Sequence, residues 1–133
     1  MFLEVSSLSK KWRLEFEAAL KEMSRANPQI IASAIVRTDG LVLASSLPKN
    51  ADEGIVGAMS AAVLNIGNRS VNELERGELD KVIISGSKGD IVLCGVGSTA
   101  VLSVITNPDS NLGLVLLEMR RASQKIQDIL KQI

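Results

Sequence analysis

Side chains that could act as nucleophiles, bases or metal ligands are scarce in this sequence. The chain has no histidine and a single cysteine, Cys94, which lies in an apolar run. A hydrolase built on a Ser-His or Cys-His pair is therefore excluded. Zinc and iron–sulfur sites are excluded by the same counts, because they need several Cys or His ligands. The apolar neighbours of Cys94 favour a buried structural thiol over a reactive one.

Acidic residues are more numerous, but their positions indicate structural roles. Most of them fall in predicted turns or at the ends of predicted elements, where carboxylates cap helices and stabilise turns. No two of them are predicted to form a catalytic pair. The residues concerned are Asp39, Asp52, Glu53, Asp80, Asp90 and Asp109.

A glycine-rich segment and several arginines are the features of this sequence that could bind phosphate. Residues 95–100 fit the pattern G-x-G-x-x-A, but that fingerprint requires a helix to follow, and residues 101–106 have the composition of a strand. A hairpin loop is the better interpretation. Arginines can neutralise a transferring phosphoryl group, yet no local feature distinguishes one of them here. The arginines concerned are Arg25, Arg37, Arg69 and Arg76. The sequence thus predicts no catalytic residue, no cofactor and no metal.

Length and composition predict one globular domain over residues 1–133, with its core at about 8–131. Hydrophobic residues make up 46% and charged residues 23% of the chain, and 15 Lys+Arg balance 15 Asp+Glu. Neutral net charge and an aromatic content of 2% argue against nucleic-acid binding. The first residues do not resemble a signal peptide, so we expect a cytoplasmic protein.

The stretch that organises the chain is a predicted central helix over residues 53–76, which carries no charge from Gly54 to Asn68. This stretch is too short and too polar to insert into a bilayer. Two stripes follow its helical periodicity. We expect the first to face the protein's own sheet and the second, of smaller residues, to face another helix. The alternative is that the second stripe is covered by its own chain. The first stripe is Ile55, Val56, Met59, Val63, Ile66 and Leu74; the second is Gly57, Ser60, Ala61, Leu64, Asn68 and Val71.

The remaining patterns predict the element order α-β-β-α-β-β-β-α and a five-stranded antiparallel sheet with helices on both faces, a three-layer α+β sandwich. Ser7 or Ser9 is predicted to cap the first helix, Asp52 the central helix, and Gly77 to follow its C-terminus. The dipeptide Asp39-Gly40 predicts a tight hairpin with both residues at positive φ. The strand after the central helix is apolar, and few lysines are present to oppose its pairing with another strand. At a sheet edge it would therefore pair with another chain.

These elements together resemble the Roadblock family, which includes dynein light chains, Ragulator subunits and bacterial gliding-motility regulators of Ras-like GTPases. The resemblance covers about residues 8–130. It lies in residues 38–45 (TDGLVLAS), the alanine-rich central helix, residues 111–115 (NLGLV) and residues 117–122 (LEMRRA).

The resemblance implies a profilin-like sheet in the order 2-1-5-4-3 and a homodimer formed through the third strand and the second helix. It also implies a non-catalytic scaffold that binds a Ras-like small GTPase and modulates its GTP hydrolysis. A small-molecule sensor of profilin-like or PAS-like outline and a subunit of a heterodimeric scaffold remain alternatives. The implied dimer interface comprises Gly57, Ser60, Ala61, Leu64, Asn68, Val71, Lys81, Val82, Ile83, Ile84 and Ser85. The candidate GTPase contacts are Asn65, Arg69, Asn72 and Arg76.

Overall fold

The computed structural model describes residues 2–133, with side chains from residue 10 onward. The order of elements is the one that the sequence predicts. The elements are α1 (Phe2–Ala26), β1 (Ile30–Arg37), β2 (Val42–Ser46), α2 (Glu53–Glu73), β3 (Lys81–Gly86), β4 (Gly89–Val96), β5 (Ala100–Thr106) and α3 (Leu112–Leu130).

The five strands form one antiparallel sheet in the order β2-β1-β5-β4-β3, which confirms the predicted fold. Strand β1 lies inside the sheet, and β5 pairs with it over most of its length. Helices cover both faces of these inner strands, which explains why β1 is apolar at nearly every position. Among these apolar residues, Ile31 is half-exposed, at the point where the register between β1 and β5 shifts.

The main core lies between the sheet and the pair α1 and α3. Along α1, Phe16, Leu20 and Met23 are buried, at the i, i+4, i+7 spacing of one helix face. The apolar face of α3 is likewise buried, at Val115, Met119, Ala122 and Ile126. On the opposite side of the sheet, α2 contributes to a smaller cluster that contains Leu64, Leu93 and Val101. Fully burying such aliphatic side chains stabilises the fold by about 1.5–3 kcal/mol each.

The N-terminal caps of the later helices follow the sequence, whereas the start of α1 does not. The Asp52 carboxylate accepts a hydrogen bond from the Ile55 N–H (3.1 Å), so the predicted cap of α2 is confirmed. Asn111 caps α3 through the Leu114 N–H (3.2 Å). The prediction that α1 begins at Ser7 or Ser9 was wrong, because the backbone of both serines is helical and their side chains lie outside the described part. Serine costs little inside a helix, so it does not set a boundary by itself.

Two turns differ in detail from the prediction. Of residues 38–41, which connect β1 and β2, only Gly40 has positive φ (97°), so the loop is wider than a two-residue turn. At the C-terminus of α2, the left-handed residue is Glu75 (φ 54°) rather than Gly77. The Arg76 N–H bonds to the Val71 carbonyl (2.7 Å), which closes a Schellman-type cap around Glu75. Gly77 also has positive φ but lies beyond this cap.

Candidate protein-binding surface

The face of α2 that packs on the sheet is the stripe of small residues. Gly57, Ser60, Ala61 and Leu64 are the buried residues of this helix. A Cβ atom at Gly57 would collide with the Gly40 carbonyl oxygen and lie 2.8 Å from a methyl group of Val42. The helix backbone therefore approaches the β1–β2 connection so closely that no side chain fits between them.

The predicted assignment of the two stripes was accordingly wrong. We expected the large aliphatic residues to face the sheet, but the close approach of α2 at Gly57 admits only small residues there. Of the implied dimer interface, Gly57, Ser60, Ala61 and Leu64 are covered by the protein's own sheet in this structure. The i, i+3, i+4, i+7 spacing of Gly57, Ser60, Ala61 and Leu64 is the sequence signal for this packing, but the spacing alone does not show whether a sheet or a second helix covers the stripe.

As a consequence, the opposite face of α2 is apolar and exposed. Ile55, Met59 and Ile66 are 56%, 58% and 67% exposed. Leu74, just past the helix, is 69% exposed. Large apolar side chains clustered on one face, as opposed to scattered singly, mark a surface that contacts another molecule.

A shallow apolar groove of about 130 Å³ runs between this face and the sheet. Its helix side is formed by Ile55, Met59 and Val63, and its sheet side includes Ile84 and Ile91. Because Ile84 belongs to β3, the groove joins the exposed face of α2 to the edge of the sheet. We call the combined area, Ile55, Met59, Val63, Ile66 and the strand β3, the α2–β3 surface.

Strand β3 is an edge strand, as the resemblance implies, because it pairs only with β4. Ile83 and Ile84 are 39% and 41% exposed, and they lie on opposite faces because neighbouring side chains of a strand alternate. Lys81 at its start holds Asp80 in an ion pair (2.7 Å), so its charge is partly neutralised. The strand therefore presents unpaired backbone groups flanked by apolar side chains, which favours pairing with another strand.

The C-terminal half of α2 is polar and exposed. Asn65, Arg69 and Asn72 share one exposed face of the helix, at positions i, i+4 and i+7. Arg69 is paired with Glu73 (3.0 Å), and Arg76 donates to the Leu74 carbonyl (3.1 Å). Three of the four candidate GTPase contacts thus lie on the exposed C-terminal half of α2, and Arg76 lies in the turn that follows it. Neither arginine is buried or aimed into a cavity.

Two ionisable groups outside this surface, Cys94 and Asp39, have strongly shifted pKa values. Burial raises the pKa of the Cys94 thiol to about 11, and the nearby charge of Asp80 acts in the same direction. Asp39 accepts a hydrogen bond from the Arg37 guanidinium, which lowers the pKa of Asp39 to about 2, and both side chains are about half exposed on the β1–β2 turn. Among side chains 10–133, no three acidic or cysteine residues come close enough to hold a metal ion. Within the described helices, none is long and apolar enough to cross a membrane.

Comparison with protein families gives a direct assignment. The model of the Roadblock/LC7 domain matches residues 16–106. The chain belongs to the Roadblock/LC7 domain family. The family match ends at the last residue of β5 and leaves α3 outside it.

Individual proteins agree with this assignment. The uncharacterised protein MJ1340 of Methanocaldococcus jannaschii is 38% identical over 98 residues, which cover 74% of this chain and 85% of that protein. Myxococcus xanthus MglB superposes with a TM-score of 0.83 at 21% identity, over 90% of each chain. A structure described as MglB with tetrameric arrangement superposes with a TM-score of 0.83 at 18% identity, over 91% of each chain.

The profilin-like character of the fold is also supported. LokiProfilin1, from its complex with rabbit actin, superposes with a TM-score of 0.60 at 18% identity, over 86% of this chain and 95% of that one. At these identities the solved structures establish the Roadblock/LC7 fold and its profilin-like outline.

Proposed function

We propose that the protein is a cytoplasmic, non-catalytic scaffold that forms a homodimer through the α2–β3 surface, binds a Ras-like small GTPase and modulates its GTP hydrolysis. The observation that carries the proposal is the continuity of an exposed apolar helix face with an apolar edge strand. The family resemblance supplies the class of partner, and the tetrameric arrangement described for one MglB structure supports self-association.

A second copy of the chain suits this surface because an edge strand pairs best with another strand and an apolar helix face with another apolar face. A two-fold axis beside β3 would satisfy both contacts with one set of residues. Ile55, Met59 and Ile66 are each about half to two-thirds exposed, so their burial would contribute about 1 kcal/mol per side chain. Those contributions double across a symmetric interface.

The interface that we propose differs in part from the one implied by the resemblance. Lys81, Val82, Ile83, Ile84 and Ser85 of β3 remain in it. On α2, the exposed residues Ile55, Met59 and Ile66 take the place of the buried small stripe. Asn68 is exposed and Val71 half-buried, and both stay at its periphery.

The GTPase contact is proposed for the polar half of α2 and the turn after it, at Asn65, Arg69, Asn72 and Arg76. Arginine side chains at protein interfaces often contribute more than 1 kcal/mol to binding. Replacing Arg69 and Arg76 together by alanine should therefore weaken GTPase binding by about 10-fold or more. The matched control is Arg13→Ala, since Arg13 lies on α1 and makes the same i, i+4 ion pair with Glu17 (3.3 Å) that Arg69 makes with Glu73.

The experiment measures binding of a Ras-like GTPase from the same genome, loaded with GDP or with a non-hydrolysable GTP analogue, and its rate of GTP hydrolysis. We expect binding in at least one nucleotide state and a changed hydrolysis rate. Because the scaffold is proposed to be non-catalytic, its arginines should not contribute to the transition state of GTP hydrolysis. Arg69→Ala and Arg76→Ala should therefore retain the full effect on the hydrolysis rate when the scaffold is at saturating concentration. Absence of binding in both states would refute the GTPase part of the proposal and leave the homodimer to be tested separately.

The groove beside α2 is a poor candidate for the binding site of a small-molecule sensor. The apolar groove beside α2 measures about 130 Å³, below the range of about 300–1,000 Å³ that ligand pockets usually occupy. This groove is also continuous with the edge strand β3, as expected for a surface that binds another protein. The heterodimeric alternative predicts the same surface with a different occupant, so the mass of the purified protein in solution separates the two.

A further inference from the structure

The hydrogen-bonding pattern of β3 defines which of its backbone groups are available at the edge of the sheet. In an antiparallel pair, residues that exchange both hydrogen bonds with the neighbouring strand alternate with residues whose N–H and C=O point the other way. On an edge strand, the second set faces outward and is unpaired. A partner strand can bond only to that set.

The orientation of β4 shows which set this is. The Asp90 N–H donates to the Thr106 hydroxyl (3.1 Å), and Thr106 lies on β5, so Asp90 points away from β3. Its neighbour Ile91 must then point toward β3, where its register partner is Ile84.

The same alternation runs along β3. Ile84, Val82 and Gly86 bond to β4, in keeping with the short loop that joins Gly86 to its partner Gly89. The outward set is therefore Lys81, Ile83 and Ser85.

We infer that a second copy of the chain pairs its β3 antiparallel to this one with Ile83 directly opposite the partner's Ile83. This inference rests on the homodimer proposed above and specifies its register. Only this register gives every outward residue a bonding partner, because Lys81 then faces the partner's Ser85 and Ser85 faces the partner's Lys81. A shift in either direction leaves outward residues of both strands without a partner. The hydrogen bonds of those residues are then missing from the contact between the two β3 strands.

The side chains favour the same register. Lys81 opposite serine avoids a contact between like charges, which is destabilising across a strand pair. On the side of the sheet that carries α2, Val82 lies opposite the partner's Ile84 at a non-hydrogen-bonded site, where side chains approach most closely. Val82 packs against the cluster of Leu64, and Ile84 lines the apolar groove, so this pair extends the existing apolar surface across the seam.

Disulfide trapping tests the register. In a Cys94→Ala background, one cysteine is introduced at a time as Val82→Cys, Ile83→Cys or Ile84→Cys, and covalent dimer is measured under mild oxidation. A hydrogen-bonded pair places its Cα atoms about 5.5 Å apart, within the range of disulfides, so Ile83→Cys should crosslink with itself. In this register each of the other two positions lies about 8 Å from its own copy, and we expect at least ~10-fold less covalent dimer. Mixing Val82→Cys with Ile84→Cys should restore crosslinking.

Other results of the trapping and light-scattering measurements would contradict the register, the β3 contact or the homodimer itself. Self-crosslinking mainly at Val82→Cys or at Ile84→Cys would show a shifted register and overturn the inference. A dimer by light scattering without trapping at any position or in the mixture would show that β3 is not the seam, while the homodimer would stand. A wild-type protein that is monomeric in solution would refute both the register and the homodimer.

Discussion

Replacing Met59 by glutamate is expected to dissociate the homodimer without unfolding the protein. Met59 lies on the exposed face of α2, with 58% of its surface accessible in the single chain, so the fold loses little when the side chain becomes charged. Glutamate is also a good helix former. In the proposed dimer, by contrast, the same position is covered by the partner.

The magnitude follows from the burial of Met59. Burying the exposed half of this side chain contributes about 1 kcal/mol, and two copies contribute about 2 kcal/mol by symmetry. Leaving two carboxylates without partners in an apolar interface costs at least about 1 kcal/mol more. The total of about 3 kcal/mol or more corresponds to a dissociation constant raised by at least ~100-fold.

Two comparison variants separate dissociation from unfolding. Leu114→Glu is the matched control, since Leu114 is 53% exposed but lies on α3, on the other side of the sheet. It should leave the dimer intact. Leu64→Glu places a charge at a side chain that is only 8% exposed and packs on Leu93 and Val101, so it should lower the thermal midpoint strongly.

The assay is sedimentation velocity over a range of concentrations, with circular dichroism to monitor the fold. We expect monomer for Met59→Glu under conditions where the wild type and Leu114→Glu are dimers. A Met59→Glu protein that stays folded and dimeric with unchanged affinity would refute the assignment of this face to the interface.

Further predictions concern the fold around the surface. Glu75→Gly should raise the free energy of unfolding by about 0.5–1 kcal/mol in urea titrations, because Glu75 adopts φ 54° and glycine does so without steric cost; an unchanged midpoint would contradict the left-handed cap. Gly57→Ala should lower it by about 2 kcal/mol or more, since the added methyl group meets the Gly40 carbonyl and Val42; a neutral effect would show that α2 does not approach the sheet so closely. At pH 8 the Cys94 thiol should react with iodoacetamide at least ~100-fold more slowly in the folded than in the unfolded protein, because its pKa is raised from 9.0 to about 11; equal rates would indicate an exposed thiol.

The elements that sequence periodicity predicted best are those with one unambiguous apolar face. In α3 the buried residues Val115, Met119 and Ile126 recur at helical spacing and their opposite face is charged, so only one orientation is possible. Strand β1 is apolar on both sides, which indicated that helices cover both faces of the sheet. The turn and cap residues Asp52 and Gly40 followed from local chemistry.

The orientation of α2 could not be predicted in the same way, because both of its stripes lack charge. Hydrophobicity alone favours large residues such as Met59 in the core, yet the distance between helix and sheet is set by the tightest point, at Gly57. That distance depends on the position of Gly40 in the β1–β2 connection, which is a tertiary feature. The cap at Glu75 was missed for a related reason, since the more favourable Gly77 lies only two residues away.

The surface that we propose as the binding site was expected only in part from the sequence. The edge strand and the polar end of α2 were both expected from the sequence, and the structure leaves both exposed. The apolar residues that surround the groove, Ile55 and Met59, were assigned to the core instead. This exchange moves the proposed dimer contact to the opposite stripe of the same helix.

The proposed homodimer requires two copies of this chain to associate through the α2–β3 surface. The most direct measurement is the mass of the wild-type protein in solution by multi-angle light scattering across a dilution series, followed by the same series for Met59→Glu. We expect a mass of twice the 14.2 kDa of the chain for the wild type and a single-chain mass for the variant. A wild-type mass of 14.2 kDa at every concentration would contradict the proposed homodimer.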